Sequence, residues 1–476
     1  MKTWKKRALA VLLAVTCVLP AAACAAPEEN TNGELPTEAP TEPPVVEQVQ
    51  NGEDLKAEDM VAEQLVGAVY PEMVQYPETD GFTYDTDAMS AWRASVSAQK
   101  PENKEYQNGI REFYEVTMQE FLTEADGKNK VYSPLNVYMA LAMLAETTDG
   151  ESRQQILNLL HTDSIETLRN NASILWNANY CDDGTVTSLL ANSIWLKDSL
   201  SYNQETLQTL ADYYYASSFR GKMGTMEYNQ MLQEWLNEQT GGLLEEQAGN
   251  IELDPLTVMA LASTVYFRAK WANEFYEEYN TEEVFHAASG DMKCEFMHQS
   301  GTNNYYWGEN FGAISRKLEN SGEMMLILPD EDVSAEALLT DSEVLDFIYN
   351  RMEWENQKFL IVNQSIPKFD VVSDFSLVGG LKNLGVTDVF DAAKADFTPL
   401  SENLDMPVAV DEATHVARVM IDEKGCIAAA FTVILACGAA RPPEEQIDFV
   451  LDRPFLFVIK GNDGQPLFVG VVNQPK

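Results

Sequence analysis

The chain has 476 residues with 75 acidic and 32 basic side chains, and a net charge of −43 excludes nucleic acid and anionic lipid headgroups as electrostatic partners. Hydrophobic residues make up 45% of it, enough for the core of one large domain or of several smaller ones.

The N-terminus has the pattern of an export signal over residues 1–23. Lys2, Lys5, Lys6 and Arg7 precede an apolar run from Ala8 to Val18, then Pro20 and a small-residue stretch. The run is too short to span a bilayer as a helix. Ala21-Ala22-Ala23-Cys24 ends the signal as bacterial lipoprotein signals end, with Cys24 as the acylated residue, although Ala21 stands where Leu is usual. Ordinary cleavage after Ala23 is the alternative. Either route exports the chain to the cell surface or periplasm, or releases it outside the cell, and a lipid on Cys24 would hold it on a membrane. Cys181, Cys294, Cys426 and Cys437 then remain, with no CxxC pair for zinc and no disulfide-dense pattern, so free thiols are expected.

Residues 24–64 are rich in Pro, Glu, Thr and Asn, and too few are apolar to offset ordering entropy, so they read as an acidic, disordered tether. Residues 65–104 carry Tyr70, Tyr76, Phe82 and Trp92, enough to dock on a folded surface but without a period that fixes their structure. From residue 105 the folded domain begins. Ile110, Phe113, Tyr114, Met118, Phe121 and Leu122 form one helical stripe, Ser133-Pro134 opens a second helix, and a third covers Glu151 to Leu160. Val258–Phe267, Met324–Leu328, Phe359–Val362, Val416–Ile421, Phe455–Lys460 and Leu467–Val472 are β-rich, the last two flanking the turn Gly461-Asn462-Asp463-Gly464. Early helices and late strands predict an α+β fold with a large, mainly antiparallel sheet and smaller sheets.

No GxSxG, HExxH, GxxxxGK[ST] or GxGxxG motif is present, and the histidines are His161, His286, His298 and His415. No catalytic residue, metal or cofactor is expected, and the chain does not read as an enzyme. The distinctive stretch is Ile421 to Phe457. A strand passes through Asp422-Glu423-Lys424-Gly425 into the uncharged run Cys426 to Leu435, then Ala436-Cys437-Gly438-Ala439-Ala440-Arg441-Pro442-Pro443.

This stretch resembles the reactive loop of the serpin family, which follows Glu-x-Gly and a small-residue hinge and ends before a Pro-Phe strand, here Pro454-Phe455. Other strings resemble the family in order: Asn129 to Pro134, Tyr266-Phe267-Arg268-Ala269-Lys270-Trp271 with Phe275, Met297-x-Gln299, Met325 to Pro329, Ile366-Pro367-Lys368-Phe369, Leu384 to Phe390, His415, and Phe468 to Asn473. The likeness runs from about Tyr106 to the C-terminus. Trp271, Phe369, His415 and Gly425 would each also serve as ordinary structural residues in any fold.

The resemblance implies the serpin fold and a monomeric one-use inhibitor of a serine protease, or of a cysteine protease, that traps its target as a covalent acyl complex. Glu423, Gly425, Cys426, Ala428, Ala429, Ala430 and Thr432 would form the hinge, and fifteen residues from Gly425 inclusive places the reactive bond at Ala439-Ala440. Ala439 suits elastase-like or subtilisin-like proteases; Arg441 is the rival, for a trypsin-like target, disfavoured by Pro442. Strand alternation puts Cys426, Ala428, Ala430, Thr432, Ile434 and Ala436 on the inward face. The family usually has Thr at Cys426 and a small residue at Phe431. Ser133, Asn136, Ser263 and His415 match its buried hydrogen-bonded shutter, with the amide exchanged between positions 136 and 263. A Cys426–Cys437 disulfide and a non-inhibitory binding protein of the same fold remain as alternatives.

Overall fold

The computed structural model describes residues 8–18, 62–77, 85–101, 104–123, 125, 127–404, 406–426 and 443–475. The chain opens with strands β1 (Ala8–Val18) and β2 (Ala62–Val66) and helices α1 (Thr86–Gln99) and α2 (Ile110–Leu122). Asp85 caps α1 by accepting from the N–H groups of Asp87 and Ala88. The apolar stripe read from the sequence is the buried face of α2.

After β3 (Lys130–Tyr132), Ser133 caps α3 (Pro134–Thr147), with Pro134 in the first turn. Every residue of α3 is buried, because it touches β7 (Thr257–Lys270) of one sheet and β18 (Pro466–Val472) of the other. Helices α4 (Gly150–Leu159) and α5 (Ile165–Asn179) pack beside it, and β4 (Cys181–Asp182), β5 (Thr187–Lys197), α6 (Gln204–Tyr214) and β6 (Ala216–Gly221) follow. Helices α7 (Met226–Gln239) and α8 (Glu245–Ala248) cover the outer face of the first sheet, where Trp195, Phe219, Tyr228, Trp235 and Tyr266 form a second, smaller core.

The other strands are β8 (Thr281–Ala287), β9 (Gly290–Trp307), β10 (Phe311–Lys317), β11 (Glu323–Pro329), β12 (Gln357–Pro367), β13 (Phe369–Ser376), β14 (Val408–Ile421), β15 (Gly425–Cys426), β16 (Gln446–Val450) and β17 (Phe455–Lys460). The first sheet has the order β13-β14-β1-β7-β5-β6-β2, with β15 added to β7 and β4 to β5; the second has β16-β12-β9-β10-β11-β17-β18-β3, with β8 on β9. Most pairs in the first sheet are antiparallel, but β1 is parallel to both neighbours and β5 is parallel to β6.

Two N-terminal stretches join the first sheet, a placement the sequence reading did not anticipate. The run assigned to an export signal forms β1, between β7 and β14. Small and β-branched apolar residues suit a strand as well as a signal, and here they bond backbone edges on both sides. Strand β2 begins at Ala62, inside the stretch assigned to the tether, and extends the sheet at β6. Beyond it Tyr70 stacks on Trp176 at 5.6 Å and on Tyr180 at 5.8 Å, and the Tyr76 N–H donates to the carbonyl of Asp183 at 2.7 Å. The Trp92 indole donates to the buried Asp183 carboxylate at 2.8 Å. Residues 65–101 are therefore integral to the folded unit wherever they are described. Cys181 and Cys294 are both buried.

Candidate functional site

Strand β14 ends at Ile421, and the chain reverses through Asp422 to Gly425 into β15. The Asp422 carboxylate accepts from the Lys424 N–H at 2.9 Å, and Asp422 and Gly425 form an isolated antiparallel bridge. Gly425 has φ +113°, and a Cβ there would stand 2.3 Å from the Trp271 nitrogen, so both conformation and space require glycine. β15 then pairs antiparallel with β7, Gly425 opposite Lys270 and Cys426 opposite Ala269.

The turn is fastened from several sides. The Trp271 N–H donates to the Lys424 carbonyl at 3.0 Å, its indole to the Asp422 carbonyl at 2.9 Å, and the Phe275 N–H to the Glu423 carbonyl at 2.8 Å. The Glu423 carboxylate pairs with Lys368 at 2.5 Å and accepts from Asn280, and Lys368 also reaches Glu295 at 3.0 Å. Beneath lies the buried Arg316 guanidinium, 3.9 Å from the Phe275 ring centroid and 5.0 Å from that of Trp271. It donates to Gln299, Gln364 and the Asn273 carbonyl. Burial lowers its pKa to about 9. Burial raises the Asp422 carboxyl to about 6, with the neighbouring Glu423 charge adding to the shift.

A second cluster lies under the middle of the same strands. The Ser133 N–H donates to His415 Nε2 at 3.1 Å, the Ser133 hydroxyl accepts from the Asn136 N–H at 3.3 Å, and the Asn136 amide donates to the Ser263 hydroxyl at 3.0 Å. All four residues are buried. Tyr132 and Phe375 stand edge-on to the His415 ring, with centroids at 5.2 and 5.4 Å. The network thus joins α3 to β7 and β14, the two strands that flank β1.

The structure brings Gly425 together with β7, Glu423 with Lys368, Asn280 and Phe275, and Ser133, Asn136, Ser263 and His415 with one another. Cys426 is placed only as a backbone pair in β15. Ala428, Ala429, Ala430, Thr432, Ala439, Ala440, Arg441 and Cys437 lie outside the described residues, as does Cys24. Sequence reasoning missed Asp422, Asn280 and Arg316. Lys368 stood inside a noted string, but its pairing with Glu423 crosses between distant segments and left no local signal.

A family model described as "Serpin (serine protease inhibitor)" matches residues 108–475. The chain is 28% identical over 358 residues to the leukocyte elastase inhibitor of Homo sapiens, covering 73% of this chain and 93% of that one. It is 27% identical over 366 residues to a serpin-like protein of Thermococcus kodakarensis, covering 74% and 82%. Among solved structures, the thermophilic serpin tengpin in its native state superposes with a TM-score of 0.69 at 25% identity, over 87% of this chain and all of that one. Human thyroxine-binding globulin with its ligand gives 0.67 at 21% identity, over 78% and 98%, a likeness of fold alone.

Proposed function

Because this chain belongs to the serpin family, we propose that it is a one-use inhibitor whose reactive bond is Ala439-Ala440 and whose cleaved loop enters the first sheet between β7 and β14. The family is one of protease inhibitors, not of enzymes. The observation that carries the reading is the register of β15. Continuing its antiparallel pairing down β7 sets Ala428 opposite Phe267, Ala430 opposite Val265, Thr432 opposite Ser263, Ile434 opposite Leu261 and Ala436 opposite Met259. Directly opposed residues share a face of a sheet. Ala269, Phe267, Val265, Leu261 and Met259 belong to the main core. The small, uncharged loop positions would therefore point inward.

The same register supports the choice of bond. β7 ends at Thr257, which would oppose Gly438, so Ala439 falls one residue beyond the far end of the strand. In the proposed reaction a protease serine oxygen attacks the Ala439 carbonyl, the bond to Ala440 nitrogen breaks, and the amine leaves with a proton. Ala439 then carries the protease as an acyl ester. Zipping the loop along β7 would move that ester roughly 50 Å at strand rise. Arg441 as the attacked residue would fall three residues beyond the end of β7.

Residues 1–23 are proposed as a leader removed on export, with Cys24 lipidated and the domain held outside the cell on residues 24–61. The Ala439 side chain and the similarity to an elastase inhibitor favour an elastase-like target. Protein beginning at Cys24, mixed with pancreatic elastase and run on a denaturing gel, is expected to give an SDS-stable complex, with the released C-terminal peptide starting at Ala440. Cleavage without complex formation would reject inhibition, and a peptide starting at Pro442 would move the bond to Arg441.

A further inference from the structure

The strip of β7 that the loop would follow already holds a strand from the other end of the chain. β1 sets Leu9 against Thr257 and Val18 against Phe267, and on its other side Ala8 against Val408 and Val18 against Val419. The far edge of β7 is taken by β5, so β1 and β15 share one edge. The last pair of β15, Cys426 with Ala269, stands two residues above Phe267. Two more inserted residues would bring Ala428 opposite Phe267, where Val18 is paired. Loop and N-terminal strand therefore exclude each other almost from the first step.

The directions differ as well. A loop leaving β14 by a tight turn must run antiparallel to it, whereas β1 runs parallel to β14 and β7. The gap between these strands thus holds a strand of the polarity opposite to the one the loop would have, and an apolar segment that is not the loop can fill it.

We propose that residues 8–18 are an intramolecular plug: while residues 1–23 stay attached, the chain is a stable form that cannot insert its loop, and their removal opens the gap. The inference rests on the loop-insertion reading for its consequence, but not for the plug itself. Val18 lies at the Phe267 end of the sheet and Ala62 of β2 at the Met259 end, four strands away. Strand rise along the sheet and four strand spacings across it make that separation about 35 Å. The chain from residue 19 to residue 61 is long enough to bridge that distance, so the plug is tethered to the sheet it enters.

The test uses full chain made without export, so that residues 1–23 are retained. In the unmodified protein, amides of residues 9–18 are expected to exchange at least about 100-fold more slowly than in the free peptide, as for strands bonded on both edges. Ala14→Pro, which breaks both ladders of a central strand, is expected to lower the melting temperature by roughly 10 °C, and added peptide of residues 8–18 to restore it. The variant is expected to form the elastase complex at least about tenfold faster than its parent. Peptide-like exchange of residues 9–18, or equal melting of parent and variant, overturns the plug. Protection and the melting shift without any complex from the variant or from protein beginning at Cys24 would uphold the plug and reject loop insertion.

Discussion

At the turn that leads into the loop, Asp422 couples the hinge to pH. Its folded pKa of about 6 lies above the ordinary carboxyl value because burial penalises the charge. The folded state therefore binds the proton more tightly than the unfolded state. The resulting stabilisation is complete below the unfolded pKa of about 3.9 and is lost as pH rises through about 6. Acidification from pH 7 to pH 5 is expected to strengthen the turn, and Asp422→Asn to flatten that part of the urea-midpoint profile. An unchanged slope would show that the carboxyl titrates alike in both states. In the buried network under the sheet, Ser263→Ala removes the acceptor 3.0 Å from the Asn136 amide and is expected to cost about 1–3 kcal/mol in urea unfolding. The grouping of Ser133, Asn136, Ser263 and His415 was legible only through the family resemblance, since Ser263 and His415 lie far from the other two in the chain and nothing local links them. Arg316 was not, since a guanidinium held by two glutamines and a carbonyl draws on three separate segments.

Individual strands were legible where their composition leaves one choice. Phe455–Lys460 and Pro466–Val472 are almost wholly apolar, flank a turn signal and pair as expected. Helix α3 was marked by Ser133-Pro134, though its burial on every side comes from having a sheet on each face. The run Ala8–Val18 was ambiguous in kind, because a signal sequence and a buried strand need the same residues. The N-terminal extension gave aromatic residues but no partners, since those lie on α5, β6 and the 180–183 segment. Tyr70→Ala removes stacking on Trp176 and Tyr180 and is expected to destabilise the protein by roughly 2 kcal/mol, measured as a lower urea midpoint. For the loop, the proposed register separates two neighbours by face. Thr432→Arg would place a charge inward against Ser263 and the Asn136 network, and is expected to turn the inhibitor into a substrate. Phe431→Ala lies on the opposite face and is expected to preserve the complex and lower the moles of inhibitor consumed per protease. Equal behaviour of the two variants would show that the register does not continue beyond Cys426.

For the molecule as a whole, the proposed mechanism turns on stability withheld from the uncut chain. When residues 1–23 are absent, β7 and β14 lose the strand that bonds both of their facing edges. Backbone groups there then depend on each other or on water, at a cost that a single new strand can relieve along nearly the whole length of β7. Antiparallel insertion from Gly425 would supply that strand and bury further apolar surface over α3, so the uncut form would be held by a barrier and not by its free energy. That barrier would have identifiable parts: the fastened turn at Asp422 to Gly425, and the network joining α3 to both flanking strands. Nicking the loop of protein beginning at Cys24 with a protease that is then removed is therefore expected to raise its melting temperature by more than about 10 °C. The same nick in full chain that retains β1 is expected to leave melting unchanged, because the position is filled. Equal shifts in both forms would mean that the cut loop gains its stability outside the gap between β7 and β14.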